Sequence, residues 1–107
     1  MRPTLSWADL AGLRVGVWGL GVEGRANRAR LAALDPAPSL VLVDDRGPAA
    51  DPDGAFGGPV LATDAGGLDA LASADVVVNS PGISRHAPPC RALVGAGVPV
   101  VGGLGLR

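Results

Sequence analysis

The 107-residue sequence contains no lysine. A phosphate-binding Gly-x-x-x-x-Gly-Lys-(Ser/Thr) loop depends on that side chain, so the chain carries no such ATP site. Cysteine is limited to Cys90, which excludes an internal disulfide and a cysteine metal cluster. No activating group neighbours Cys90 in the sequence, and it reads as a small packing residue. The one histidine, His86, lies in a proline-rich loop without metal-ligand spacing and reads as a surface residue. Nine arginines face ten acidic residues for a net charge of −1, with no basic stripe, which argues against a nucleic-acid partner. Long apolar runs are missing too. The longest uncharged, mostly apolar stretch, Ala92 to Leu106, is too short to span a bilayer and is broken by Gly and Pro. Asp9 interrupts any apolar N-terminal stretch, so no signal peptide is visible. The expectation is a soluble, cytoplasmic protein with no membrane partner.

What is present points to a compact fold. Gly and Pro supply 27 of 107 residues, close to a disordered composition, but the 48% hydrophobic content and clear β-type runs oppose disorder. The length suits one domain with a single core. The organising stretch is Val15-Gly16-Val17-Trp18 followed by Gly19-Leu20-Gly21-Val22-Glu23-Gly24. A short apolar run passes into Gly-x-Gly-x-x-Gly and then into a helical pattern. Gly19 permits a sharp turn off a strand, Gly21 lets backbone approach a pyrophosphate, and Gly24 lets the new helix pack close. The helix N-terminus then faces the anion. With 17 glycines in the chain this motif alone is weak, and the bland alternative is a structural glycine turn.

The rest of the chain supplies companions. Arg14–Trp18 reads as a first strand, apolar on both faces as a central parallel strand should be. Trp7 reads as an apolar lid, and Trp18 as core. Val22–Leu34 is a helix with an apolar stripe at Val22, Ala26, Ala29, Ala33 and Leu34, ended by Asp35-Pro36. Arg28 and Arg30 read as solvated; Arg25, in the first turn, is within reach of an anion. Leu40–Val43 is a second strand ending at Asp44-Asp45-Arg46. Asp44 lies 20 residues after Gly24, where an acidic residue meets a ribose hydroxyl in dinucleotide folds. Gly47–Pro59 is a loop, Val60–Ala62 a short edge strand and Gly66–Ala72 a short helix. Asp75–Asn79 is a buried strand ending at Ser80-Pro81-Gly82. Pro88–Ala96 is a helix stopped by Gly97, and Val98–Val101 is a last strand. Alternating strands and helices predict a Rossmann-like, doubly wound α/β fold with a five-stranded parallel sheet in the order 3-2-1-4-5. Ligands in such sheets bind beyond the carboxyl ends of the strands, at the switch point between strands one and four. The loops Gly19–Gly24, Asp44–Arg46 and Ser80–Gly82 all fall there, which favours a nucleotide-type ligand.

Gly19-Leu20-Gly21-x-x-Gly24, Asp44-Asp45-Arg46, Asn79-Ser80-Pro81-Gly82-Ile83 and Val98-Pro99-Val100-Val101-Gly102 together resemble the N-terminal, UDP-binding domain of the Mur ligases. The glutamate-adding branch is the nearest in pattern, and the likeness covers residues 12 to 106. The resemblance implies a part in peptidoglycan precursor synthesis: ATP phosphorylates the carboxylate of UDP-N-acetylmuramoyl-L-alanine, and the amine of glutamate attacks the acyl phosphate. It places the glycine loop and Ser80-Pro81-Gly82 at the pyrophosphate, and Asp44, Asp45 and Arg46 around the uracil. The chemistry agrees: Gly21 and Ser80 offer donors to phosphate, Asp44 an acceptor for uracil N3–H, and Arg46 a cation to lie over the base. The resemblance further implies that the ATPase domain, with ATP and Mg²⁺, and the C-terminal domain lie beyond Arg107. This chain would then bind UDP as a monomer without catalytic residues, cofactor or metal of its own. Glu23 departs from the family's usual Ser or Thr, and Gly103 and Gly105 replace the acids of its usual exit. The residues do not choose between D- and L-glutamate. Two rivals stand beside this reading: an NAD-binding domain of a dehydrogenase or regulatory protein, which the glycine loop and Asp44 fit, and an interaction module with a vestigial pocket, which Glu23 favours.

Overall fold

The computed structural model describes residues 7–20, 22–52, 54, 58–79 and 88–102; for residues 22–24, 90 and 102 it describes the backbone only. Five strands are present: β1 Arg14–Trp18, β2 Ser39–Asp44, β3 Val60–Ala62, β4 Val76–Asn79 and β5 Val100–Gly102. Among the described residues three α-helices join them: α1 Val22–Ala32, α2 Leu68–Ala72 and α3 Pro88–Gly95. All strand pairs are parallel, and the sheet order is β3-β2-β1-β4-β5, as the alternating pattern predicts.

Period-2 alternation assigns the side chains of each strand to two cores. Val15 and Val17 of β1, Leu42 of β2 and Val76 and Val78 of β4 join Leu31 of α1 on one face. Trp18, Val43 and Val77 join Leu71 of α2 and Leu93 of α3 on the other. β1 and β4 are buried almost throughout because helices cover both of their faces. Gly16 sits on the second face, where a Cβ would lie 2.6 Å from Leu71 Cδ2. The missing side chain is what lets α2 approach β1.

α1 corrects the expected stripe. Ala26, Ala29 and Ala33 are exposed, and the inward face is Asn27, Leu31 and half-buried Leu34. Alanines bury little area, so the one large apolar side chain in the middle of the helix, Leu31, sets the rotation. Arg28 therefore turns partly inward; its Nε is enclosed without a hydrogen-bond partner. Arg30 is exposed, with its guanidinium 5.4 Å from the centroid of the Trp7 ring. Trp7 packs against the first core as a lid. α1 ends at Ala32, and 3-10-type bonds from the Ala33 and Leu34 amides to Arg30 and Leu31 close its last turn.

Two further boundaries move. β5 starts at Val100 rather than Val98, because Val98 caps α3. Gly97 has φ +90°, its amide donates to Val94 and that of Val98 to Leu93, a Schellman arrangement in which Val98 and Leu93 share the second core. The expected helix from Gly66 is a wide turn, Thr63–Gly67, followed by α2. The Gly47–Pro59 loop contains a short 3-10 turn, Gly47–Ala50, that inserts Ala50 into the first core.

Candidate functional site

The carboxyl ends of β1, β2, β3 and β4 meet along one sheet edge, because Trp18 is in register with Val43 and Asn79, and Asp44 with Ala62. Gly19 leaves β1 with φ +94° and donates its amide to the Val43 carbonyl at 2.8 Å. A side chain would be strained at that φ, which is the reason for glycine there. Leu20 follows with its side chain buried in the first core. At the edge its amide donates to Asp44 Oδ2 at 2.8 Å.

Asp44 ends β2 and is 7% exposed. Its Oδ1 accepts from the Arg46 amide at 2.9 Å and from Arg46 Nε at 3.0 Å; Oδ2 also receives a longer contact from Arg46 Nη2 at 3.4 Å. A carboxylate has about four lone-pair positions, so these bonds use its acceptor capacity within the protein. Burial alone would raise the Asp44 pKa. The Arg46 side-chain hydrogen bond, the Arg46 and Leu20 amides and the Arg46 charge outweigh it, and the carboxyl lies below its ordinary value. The Asp44 hydrogen bond and charge in turn raise the Arg46 pKa. Asp44 is thus a clasp between the loop after β1 and the turn after β2. Arg46 remains largely exposed, with one edge of its guanidinium on Asp44.

Asp45 is exposed and accepts a hydrogen bond from the Thr63 hydroxyl. Thr63 in turn accepts from Trp18 Nε1 at 3.3 Å. Reading the sequence singles out Asp45 but not Thr63. Its signal was positional: it is the first residue after β3, at the same edge as the other loops. The Thr63–Gly67 turn lies tight on the sheet, since a Cβ on Gly67 would lie 2.5 Å from the Ala62 carbonyl oxygen and 2.7 Å from Val43 Cγ1. Asn79, at the end of β4, is buried at the same edge.

The structure therefore brings Gly19, Leu20, Asp44, Asp45 and Arg46 together, and α1 starts at Val22 beside them. Gly21, Ser80, Pro81, Gly82, His86, Gly103 and Gly105 lie outside the described residues, as do the side chains of Val22, Glu23 and Cys90. A groove of about 490 Å³ lies elsewhere, lined by Arg14, Arg28, Leu40, Gly58 and Pro59 near the starts of the strands. Among the described residues no group of His, Cys, Asp or Glu is placed to hold a metal ion. No helix among them is long and apolar enough to cross a membrane.

No protein-family model matches the chain. A UDP-N-acetylmuramoyl-L-alanine–L-glutamate ligase of Salinispora tropica is 46% identical over 103 residues, 92% of this chain and 22% of that protein. The ligase of the same name from a Micromonospora strain is 41% identical over 108 residues, again 92% of this chain and 22% of the relative. The chain is homologous to the N-terminal part of these ligases. A more distant ligase of the same name, from Xylella fastidiosa, is 37% identical over 95 residues, with 88% of this chain and 20% of that protein covered. The chain spans about a fifth of the length of the curated relatives it matches. A stretch covering 92% of the chain takes in β1 to β4 and every edge residue described above.

Proposed function

We propose that this chain is the domain that holds the UDP end of UDP-N-acetylmuramoyl-L-alanine in a ligase that adds L-glutamate to it during peptidoglycan precursor synthesis. The observation that carries the proposal is the clasp at the sheet edge. Asp44 ties the loop after β1 to the turn after β2, so both ligand loops are held at the switch point of a doubly wound sheet. The ligases named above, all of them L-glutamate enzymes, support the choice of substrate and of acceptor.

In this reading the glycine loop, with Gly21, Val22, Glu23 and Gly24 at the start of α1, and Ser80-Pro81-Gly82 hold the pyrophosphate. The free amides and dipole of the helix favour the anion there. Asp45 and the exposed face of Arg46 border the base, a flat ring suiting a guanidinium plane. Asp44 serves the site by shaping it. ATP and Mg²⁺ belong to the remainder of the ligase, because a chain without lysine has no P-loop. The domain works in the cytoplasm, as a monomer, and binds without catalysing.

Calorimetric titration of the 107-residue chain with UDP, UDP-N-acetylglucosamine and NADH tests this. The expected outcome is binding of both uridine ligands and none of NADH. Tighter binding of NADH than of UDP would move the chain to the dinucleotide-binding class.

A further inference from the structure

Thr63 completes a directed hydrogen-bond chain at the candidate site. The strand order places Val43 of β2 between the end of β1 and the end of β3. The Trp18 indole, 3% exposed, spans that strand and donates to Thr63 Oγ1 at 3.3 Å. An indole nitrogen only donates, so Thr63 is the acceptor of this bond. A hydroxyl has one proton, and that of Thr63 goes to Asp45 Oδ1. The direction Trp18 to Thr63 to Asp45 is therefore set from the core outward. Asp44 beside it has its acceptors engaged by Leu20 and Arg46, whereas the exposed Asp45 carboxylate presents an acceptor at this edge among the described residues.

We propose that Thr63 is a positioning residue for base selection: by directing its proton to Asp45 it holds that carboxylate in place to accept from the N3–H of a uracil ring. The inference rests on the uridine-diphosphate reading of the site and deepens it. Uracil carries a proton on N3, whereas cytosine carries a lone pair there, which a fixed carboxylate repels. A carboxylate free to turn would adapt to the cytosine amino group; one held by Thr63 does not.

Calorimetric titration of the 107-residue chain with UDP and CDP tests the proposal. The unaltered chain should prefer UDP by about tenfold or more, the scale of one hydrogen bond made to a charged group. Thr63→Val keeps the shape and removes the hydroxyl, and should narrow the preference to about threefold or less; Thr63→Ser should restore it. Asp45→Asn, at an exposed position, keeps an oxygen for Thr63 and turns an amide donor toward the base, so the preference should move toward CDP. Thermal melts confirm that each variant is folded, and if Thr63→Val is not, Asp45→Asn decides. Equal losses for both nucleotides in Thr63→Val, or an unchanged ratio in Asp45→Asn, would overturn the proposal. Equal affinity of the unaltered chain for UDP and CDP would overturn it while the site remains a uridine-diphosphate site. Binding of neither nucleotide would overturn both.

Discussion

Asp44 is buried although Asp45 and Arg46, next to it in the chain, are exposed. Its carboxylate is nearly buried, yet its acid form is disfavoured, because two backbone amides and the Arg46 guanidinium all donate to the ionised form. The consequence is a stability that depends on pH. A folded-state pKa below the ordinary 3.8 means that the contribution is complete above that value and is lost as pH falls through the lower, folded-state value. Asp44→Asn should therefore destabilise the chain by about 1–3 kcal/mol at pH 7, the range for leaving buried donors unsatisfied. The gap between variant and parent should shrink below pH 3.8. Melting curves of both proteins at pH 7 and at pH 3 measure it; a gap that stays constant would mean that charge plays no part in the clasp. Reading the sequence locates Asp44 at the end of β2 by its distance from the glycines. It does not reveal that Leu20 is the partner, since that amide reaches the carboxylate only when β1 and β2 lie side by side.

Among the elements, α1 and the Thr63–Gly67 turn show how far local pattern reaches. The existence of α1 follows from helix-favouring Ala, Arg and Leu between a glycine loop and a proline. Its rotation does not, because alanines at helical spacing weigh too little to compete with one leucine. Leu31→Ala should cost about 2–5 kcal/mol by opening a cavity in the first core. Ala29→Ser on the exposed side should stay within about 0.5 kcal/mol. Denaturant unfolding of the two variants compares them, and similar losses would mean that the helix is rotated from the position described. The turn makes the complementary point. Gly67 has an ordinary helical φ of −63°, so nothing in its backbone conformation demands glycine. What demands it is the Ala62 carbonyl oxygen, 2.5 Å from where a Cβ would stand. Gly67→Ala should destabilise by about 1–3 kcal/mol through overpacking. It should also lift Thr63 away from Asp45, a change visible as altered tryptophan fluorescence, since Trp18 donates to Thr63.

For the molecule as a whole, a ligand held only by the folded state must raise stability by mass action. At a UDP concentration about 100 times its Kd the gain is roughly 2.7 kcal/mol. The melting temperature should therefore climb steadily with UDP and stay flat with NADH. A rise with inorganic pyrophosphate equal to that with UDP would mean that the edge reads phosphate alone. The sequence by itself determined the parallel α/β architecture and its strand order, because each buried strand is a short apolar run and each connection is long enough for a right-handed crossover. It also determined which loops share the sheet edge, since topology assigns every strand's carboxyl end to one side. Those are consequences of period and of chain direction, which are local properties. Tertiary structure alone decided which atoms at that edge are already committed. Asp44 faces inward to Leu20, Asp45 faces outward from Thr63, and Trp18 anchors Thr63 from a strand 45 residues earlier. Hydrogen-bond partners are chosen by distances of about 3 Å between side chains on different strands. No spacing along the chain encodes those distances until the sheet brings the strands together.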